Sequence, residues 1–304
     1  MDINSNMFEF LPAEEKNRNE IVRPSISYWQ DAWRRLKKNK LAIISLIFIV
    51  IITLLAIAIP AFSKYDYATN DLVASNQWPS SKHWFGTDQL GRDMFVRVMF
   101  GARYSLIIAF VASILNFIIG ILYGGISGYV GGAADNIMMR IVDILYSIPM
   151  MIYVIIIMSI LGAGLSSIII ALAISYWLSM ARIVRGEVLQ LKSQEFVLAA
   201  KVLGASNRRI LLRHLIPNCI GPIIVTLTLL IPQAIFTESF LSFIGLGLSA
   251  PKASWGTLAS DAMQGLYVYP YQLLFPSLAI CLTILAFNLL GDGLRDSLDP
   301  RMRR

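Results

Sequence analysis

Residues 195–218, EFVLAAKVLGASNRRILLRHLIPN, form a basic, polar stretch set between two long apolar runs. Ala199, Ala200 and Leu203 are compact helix formers, and Gly204 stands where a helix would end in the left-handed conformation. Arg208, Arg209 and Arg213 then alternate with Ile210, Leu211 and Leu212 along a second helical piece, and Pro217 precedes the next apolar run. Two readings fit such a segment: a surface that another protein grips, or an amphipathic helix resting on anionic lipid. Basic segments between spans collect on the cytoplasmic side, so this stretch orients everything around it.

The chain has 304 residues, 56% of them hydrophobic and 15% charged. Soluble domains carry about 25% charged residues, so this composition places the chain in the membrane class. The net charge of +7 does not point to nucleic acid. Lys and Arg sit mainly in loops between apolar runs, and no basic face interleaved with aromatics for stacking bases is visible. Cys219 and Cys281 both fall in apolar runs, away from any His, and read as small buried hydrophobes rather than a disulfide or zinc ligands. The first apolar run begins only at Leu41, behind a long polar segment, so a cleavable signal peptide is not expected. There is no GxxxxGK[ST] phosphate loop and no evident nucleophile–base pair. The chain is therefore expected to be non-catalytic, to bind no cofactor and to hold no metal.

A span needs about 20 apolar residues to cross roughly 30 Å of hydrocarbon. Residues 41–61 supply the first and residues 104–129 a second. The uncharged stretch between Asp143 and Arg182 is too long for one span and is broken at Gly162-Ala163-Gly164, so it reads as an outgoing and a returning helix. Residues 219–238 and 271–291 complete six spans. With the N-terminal side in the cytoplasm, 20 of the 26 Lys and Arg fall inside and six outside: Lys64, Lys82, Arg92, Arg97, Arg103 and Lys252. Both termini and the loop at 187–218 are then cytoplasmic. The expected organisation is a cytoplasmic segment 1–40, a six-span all-α domain 41–291 and a cytoplasmic tail 292–304. Pro149, Pro222, Pro232 and the glycines of the second span favour a pathway-forming protein over a simple anchor.

The loop resembles a known pattern. Permease subunits of ATP-driven solute importers carry Glu-Ala-Ala, three residues, Gly, nine residues, then Ile-x-Leu-Pro in their last long cytoplasmic loop. Here Leu198-Ala199-Ala200 precedes Gly204 and His214-Leu215-Ile216-Pro217 at the same spacing. Leu198 replaces the Glu and His214 the Ile, and the first exchange looks like the peptide-importer branch. HWFGTDQLGRD (83–93), GARYSL (101–106), FTESFLSFIGLG (236–247), SWGTLASDA (254–262) and NLLGDGLRDSLDPRMRR (288–304) resemble the C-type permease of oligopeptide and dipeptide importers, in order.

The resemblance implies a type I ABC importer permease fold in a bacterial plasma membrane. It implies a sister permease, two ATP-binding subunits that bind ATP and magnesium, an extracellular peptide-binding lipoprotein and a peptide cargo. Dipeptides, nickel complexes or another small solute are the alternative. It assigns ATPase coupling to Ala199, Ala200, Lys201, Gly204, Ala205, Arg208 and Arg209.

Two further groups are candidates for a pathway or external gate. Asp88, Arg92 and Asp93 make a poor calcium set and read better as a turn held by Asp side chains and an Asp–Arg pair. Glu238 is ionisable near membrane depth, hence functional by default, unless the fifth span ends just before it. His83 and His214 lie on opposite sides and share no site. An intramembrane enzyme or self-sufficient channel would need paired ionisable groups within the spans, which are nearly free of them.

Overall fold

The structure, a computed structural model, describes residues 27–298. The expectations for residues 1–26 and 299–304 lie outside the described residues. The first helix, α1 (Tyr28–Lys38), begins at Ser27, whose hydroxyl accepts from Gln30 N while the Gln30 side chain caps Ser27 in return. It buries Ala32 and Leu36, and Tyr28 donates to Leu298 O at 3.0 Å. α1 lies against the C-terminal end of the last long helix.

Asn39 caps α2 (Lys40–Phe62), whose 23 residues match the first expected span. The second span differs from expectation. It belongs to α3 (Met94–Val130), which starts ten residues before the predicted boundary. Arg97 and Arg103 ended the apolar window in the sequence, but both stand on this helix, and Asp93 caps it by accepting from Val96 N at 2.9 Å. A charge stops a hydropathy run; it does not stop a helix that has an N-cap upstream.

The outgoing helix of the next pair is also not a single rod. It divides into α4 (Gly132–Ser147) and α5 (Met150–Leu161), bent by 85° at the break. Pro149 offers no N–H, and the residue before a proline is pushed out of the helical region; Ile148 sits at φ −81°, ψ 128°. α5 alone is about 18 Å long, too short for the hydrocarbon layer by itself. Among the described residues five helices are long and apolar enough to cross a membrane, and six spans result if the bent pair counts as one.

The returning helix α6 (Leu165–Lys192) packs along α3 as the core of the molecule. The approach is close because glycines line the seam. A Cβ on Gly124 would sit 2.2 Å from Ala181 O, and one on Gly120 would sit 2.4 Å from Met180 Cγ. At the C-terminal end of α6, Arg185 forms a two-pronged pair with Asp135 at 2.6 Å, and Arg182 reaches Asp143 at 2.7 Å. Beyond the loop helix α7 (Glu195–Val202) come α8 (Ile220–Leu241), α9 (Trp255–Ala262) and α10 (Tyr271–Leu298).

α8 continues through a π-helical turn, Ser242–Leu246, so the fifth span runs past Glu238 instead of ending there. α10 likewise runs on to Leu298, which makes residues 292–298 part of a span helix and not a separate tail. α2 and α10 pack together beside the α3–α6 core, with α8 between α10 and α3. Cys219 is buried as expected, whereas Cys281 is exposed on the outer face of α10.

Candidate functional site

The loop after α6 is built as a helix with an anchored side and an offered side. Val197 and Ala200 are buried, so α7 is held to its own chain. Its C-terminus closes as a Schellman motif: Ala205 N donates to Ala200 O and Gly204 N to Lys201 O, each at 3.0 Å. Gly204 has φ +78°, a conformation an L side chain adopts only at a cost. Leu198, Ala199 and Lys201 face solvent, and Val202 and Leu203 are 88% and 86% exposed. Arg208 and Arg209 are exposed on the short helix Asn207–Arg209, capped by Ser206.

Of the seven residues expected to couple, Ala200 faces inward and Ala205 is half-buried; the other five are on the surface. A π-helical turn, Ile210–Leu215, follows, anchored by Ile210 and Leu215. The loop is tied to the end of α3, where Tyr129 donates to Asn207 Oδ1 at 2.7 Å and Lys192 donates to Tyr129 O.

At the opposite end of α3 the expected Asp-held turn is present. Asp88 Oδ1 accepts from Leu90 N and Arg92 N, both at 2.9 Å, and Oδ2 accepts from Arg92 Nε at 2.7 Å and from Arg97 Nη1. Asp93 caps α3 with one oxygen and meets His83 Nδ1 at 2.8 Å with the other. Asp88, Arg92, Asp93, Arg97 and His83 are all buried. Tyr271 and Gln272, at the start of α10, hold the same turn through Thr87 O.

This network forms one wall of a cavity of about 410 Å³, whose other walls come from the Ser242–Leu246 turn, the segment leading to α9, and α9 itself. Arg97 Nη2 lies 3.8 Å from Asp261, which is largely exposed. Partial desolvation in the cavity wall pushes the Asp261 carboxyl above the usual carboxylate range, while Arg97 and Arg92 draw it back.

Glu238 lies elsewhere in chemical terms. It is fully buried and accepts from Ser105 at 3.0 Å and Ser242 at 2.8 Å, with Ser239 and Ser254 completing a ring of hydroxyls. Trp255 N donates to Ser105, and its indole N–H to Val98 O. Glu238 thus joins α3, α8 and the start of α9.

Arg97, Asp261 and Lys252, all lining the cavity, had no signal as a group in the sequence, because they lie on three separate elements. The helix containing Arg97 was foreshadowed only by Asp93 as a capping residue before an apolar run.

Comparison with known proteins agrees with this architecture. Residues 117–304 match the model of the binding-protein-dependent transport system inner membrane component family, and residues 27–79 match the N-terminal transmembrane domain of oligopeptide transport permease C. The oligopeptide transport system permease protein OppC of Bacillus subtilis is 52% identical, over 100% of this chain and 99% of that protein. The dipeptide transport system permease protein DppC of the same organism is 50% identical over 97% and 93%, and the Escherichia coli K12 OppC is 45% identical over 91% and 92%. In fold, the chain is similar to a chain of the MetNI methionine ABC transporter in an inward-facing conformation, with TM-score 0.55 and 20% identity, covering 68% of this chain and 98% of that one. With a family model spanning more than half its length and a full-length relative at 52% identity, the chain belongs to the binding-protein-dependent transport system inner membrane components, as a multi-pass permease subunit.

Proposed function

We propose that this chain is one of two permease subunits of an ATP-driven peptide importer, forming half of the translocation pathway beside a related sister permease. Two separate subunits bind ATP and magnesium at the cytoplasmic face, and an extracellular lipoprotein delivers peptide. Both ends of the chain and the loop at 187–218 face the cytoplasm of a bacterial cell, and the chain itself catalyses no reaction.

The observation that carries this reading is the offered side of α7, where Leu198, Val202 and Leu203 stand in solvent beside Lys201, Arg208 and Arg209. An exposed apolar patch rimmed by charge marks a protein contact, and a groove of complementary charge on an ATPase fits it. Closure of the ATPases on ATP would displace the loop, and α6 and α8, which flank it, would carry that displacement into the membrane. The names of the relatives support a peptide cargo, and DppC of Bacillus subtilis at 50% identity supports a dipeptide reading beside the oligopeptide one.

The test is uptake of labelled oligopeptides and dipeptides by a deletion strain complemented with the natural chain or with Gly204→Val. The natural chain is expected to restore ATP-dependent uptake, and the variant to assemble and hydrolyse ATP without uptake. Full uptake by the variant would remove the coupling role of this loop. Restored uptake of dipeptides alone would move the cargo to the second reading.

A further inference from the structure

The cavity beside the Asp88 network carries more positive charge than its own residues neutralise. Arg92, Arg97 and Lys252 line it, against Asp88 and Asp261. Asp88 is fully engaged: two backbone N–H groups and two arginines occupy its oxygens. Arg97 is 4% exposed, and among the described residues its Nε has no hydrogen-bond partner. A guanidinium has five N–H donors and no way to shed its charge, so a buried one left partly unsatisfied is costly. The one remaining acid is Asp261, 3.8 Å from Arg97 Nη2 and with its side chain 63% exposed, too loosely placed to saturate the guanidinium. Lys252 is exposed at the rim, 5.9 Å from the centre of the Tyr104 ring. A volume of about 410 Å³ falls within the range of ligand pockets.

We infer that this cavity is a carboxylate-binding site, in which Arg97 and Lys252 hold an incoming carboxylate and Asp261 is the internal competitor that the ligand displaces. The inference rests on the importer reading and deepens it. On that reading, two sources bring a carboxylate to this end of the molecule: the terminus or an acidic side chain of the peptide cargo, and an acidic side chain of the binding protein.

The experiment uses the complete transporter in lipid nanodiscs and its own binding protein, empty or loaded with peptide, with affinity read by surface binding. ATP-dependent uptake by the natural complex in proteoliposomes is measured in parallel, so that failure of the importer reading shows there and failure of the site shows in the affinities. Both rim substitutions lie on exposed side chains and leave the Asp88 network whole. Lys252→Glu is expected to weaken binding about threefold and Asp261→Asn to tighten it by a similar factor, the size of a partly exposed ion pair. Opposite shifts confined to the loaded binding protein assign the carboxylate to the cargo. Opposite shifts seen with the empty protein as well assign it to the binding protein. No shift in either variant, or shifts in the same direction, would overturn the site. Arg97→Lys, which keeps the charge but loses the fork, should weaken binding as well.

Discussion

The two ends of α3 are finished in opposite ways. At its N-terminal end, charged side chains are folded inward: Asp88, Arg92, Asp93, Arg97 and His83 are buried and mostly paired with one another. At its C-terminal end, across the Tyr129–Asn207 contact, apolar side chains are turned outward, with Val202 and Leu203 among the most exposed in the chain. The first is a wall held mainly by its own pairs, with His83 Nε2 and Arg97 Nε left without a partner among the described residues. The second is a surface that leaves large apolar side chains in solvent. Burying charge is expensive unless it is paired, and exposing Leu and Val to water is unfavourable unless the exposure is temporary. Each end thus accepts a cost that only its own task explains.

The contrast can be broken at four points. Asp88→Ala would leave Arg92 and Arg97 buried without their shared partner, at a cost of about 3–5 kcal/mol; thermal unfolding of the extracted complex should show it, and an unchanged melting temperature would mean that the wall is not self-supporting. Gly204→Val forces an L side chain to φ +78°, costing about 1–2 kcal/mol, and nothing lies within 4 Å of its Cβ to clash. The damage should stay local, with uptake lost while ATP hydrolysis persists. Tyr129→Phe deletes one hydrogen bond to Asn207, worth about 0.5–1.5 kcal/mol, and should lower the ratio of peptide moved to ATP consumed without loss of the complex. Leu203→Ser should change stability by about 0.5 kcal/mol or less yet weaken capture of the ATPase subunits in a pull-down. A clear stability loss there would show that Leu203 is packed and not offered.

Much of this was legible from residues alone, for definable reasons. Uninterrupted apolar runs located α2 and the membrane-crossing parts of the other long helices, and the Ala-Ala…Gly spacing located the capped helix of the loop. Asp88 and Asp93 read correctly as residues of a turn held by Asp side chains, because the backbone N–H groups they accept from are within a few positions. What depended on distant partners was not legible. The start of α3 was placed too late because Arg97 looks like a loop residue until Asp88 and Asp261 are seen around it. Glu238 looked like a group on a span boundary, because the hydroxyls that enclose it come from Ser105, Ser242 and Ser254, on separate elements. The 85° bend after Ser147 was signalled by Pro149, but a proline announces a break without its angle.

α3 has 37 residues in one uninterrupted helix, about 55 Å from end to end. Its first turns carry Arg97 into the cavity beside Asp88, and its last carry Tyr129 to the loop. On the proposed reading such a rod would act as a lever, with its load at one end and its handle at the other. A tilt of about 10° around its midpoint would carry each end about 5 Å in opposite directions, on the dimensions of an α-helix. Because α6 is seated against it at Gly120 and Gly124 with no room for a side chain, the two helices would swing together. The handle and the charged chamber are then parts of one moving body, and no relay of small contacts is needed between them.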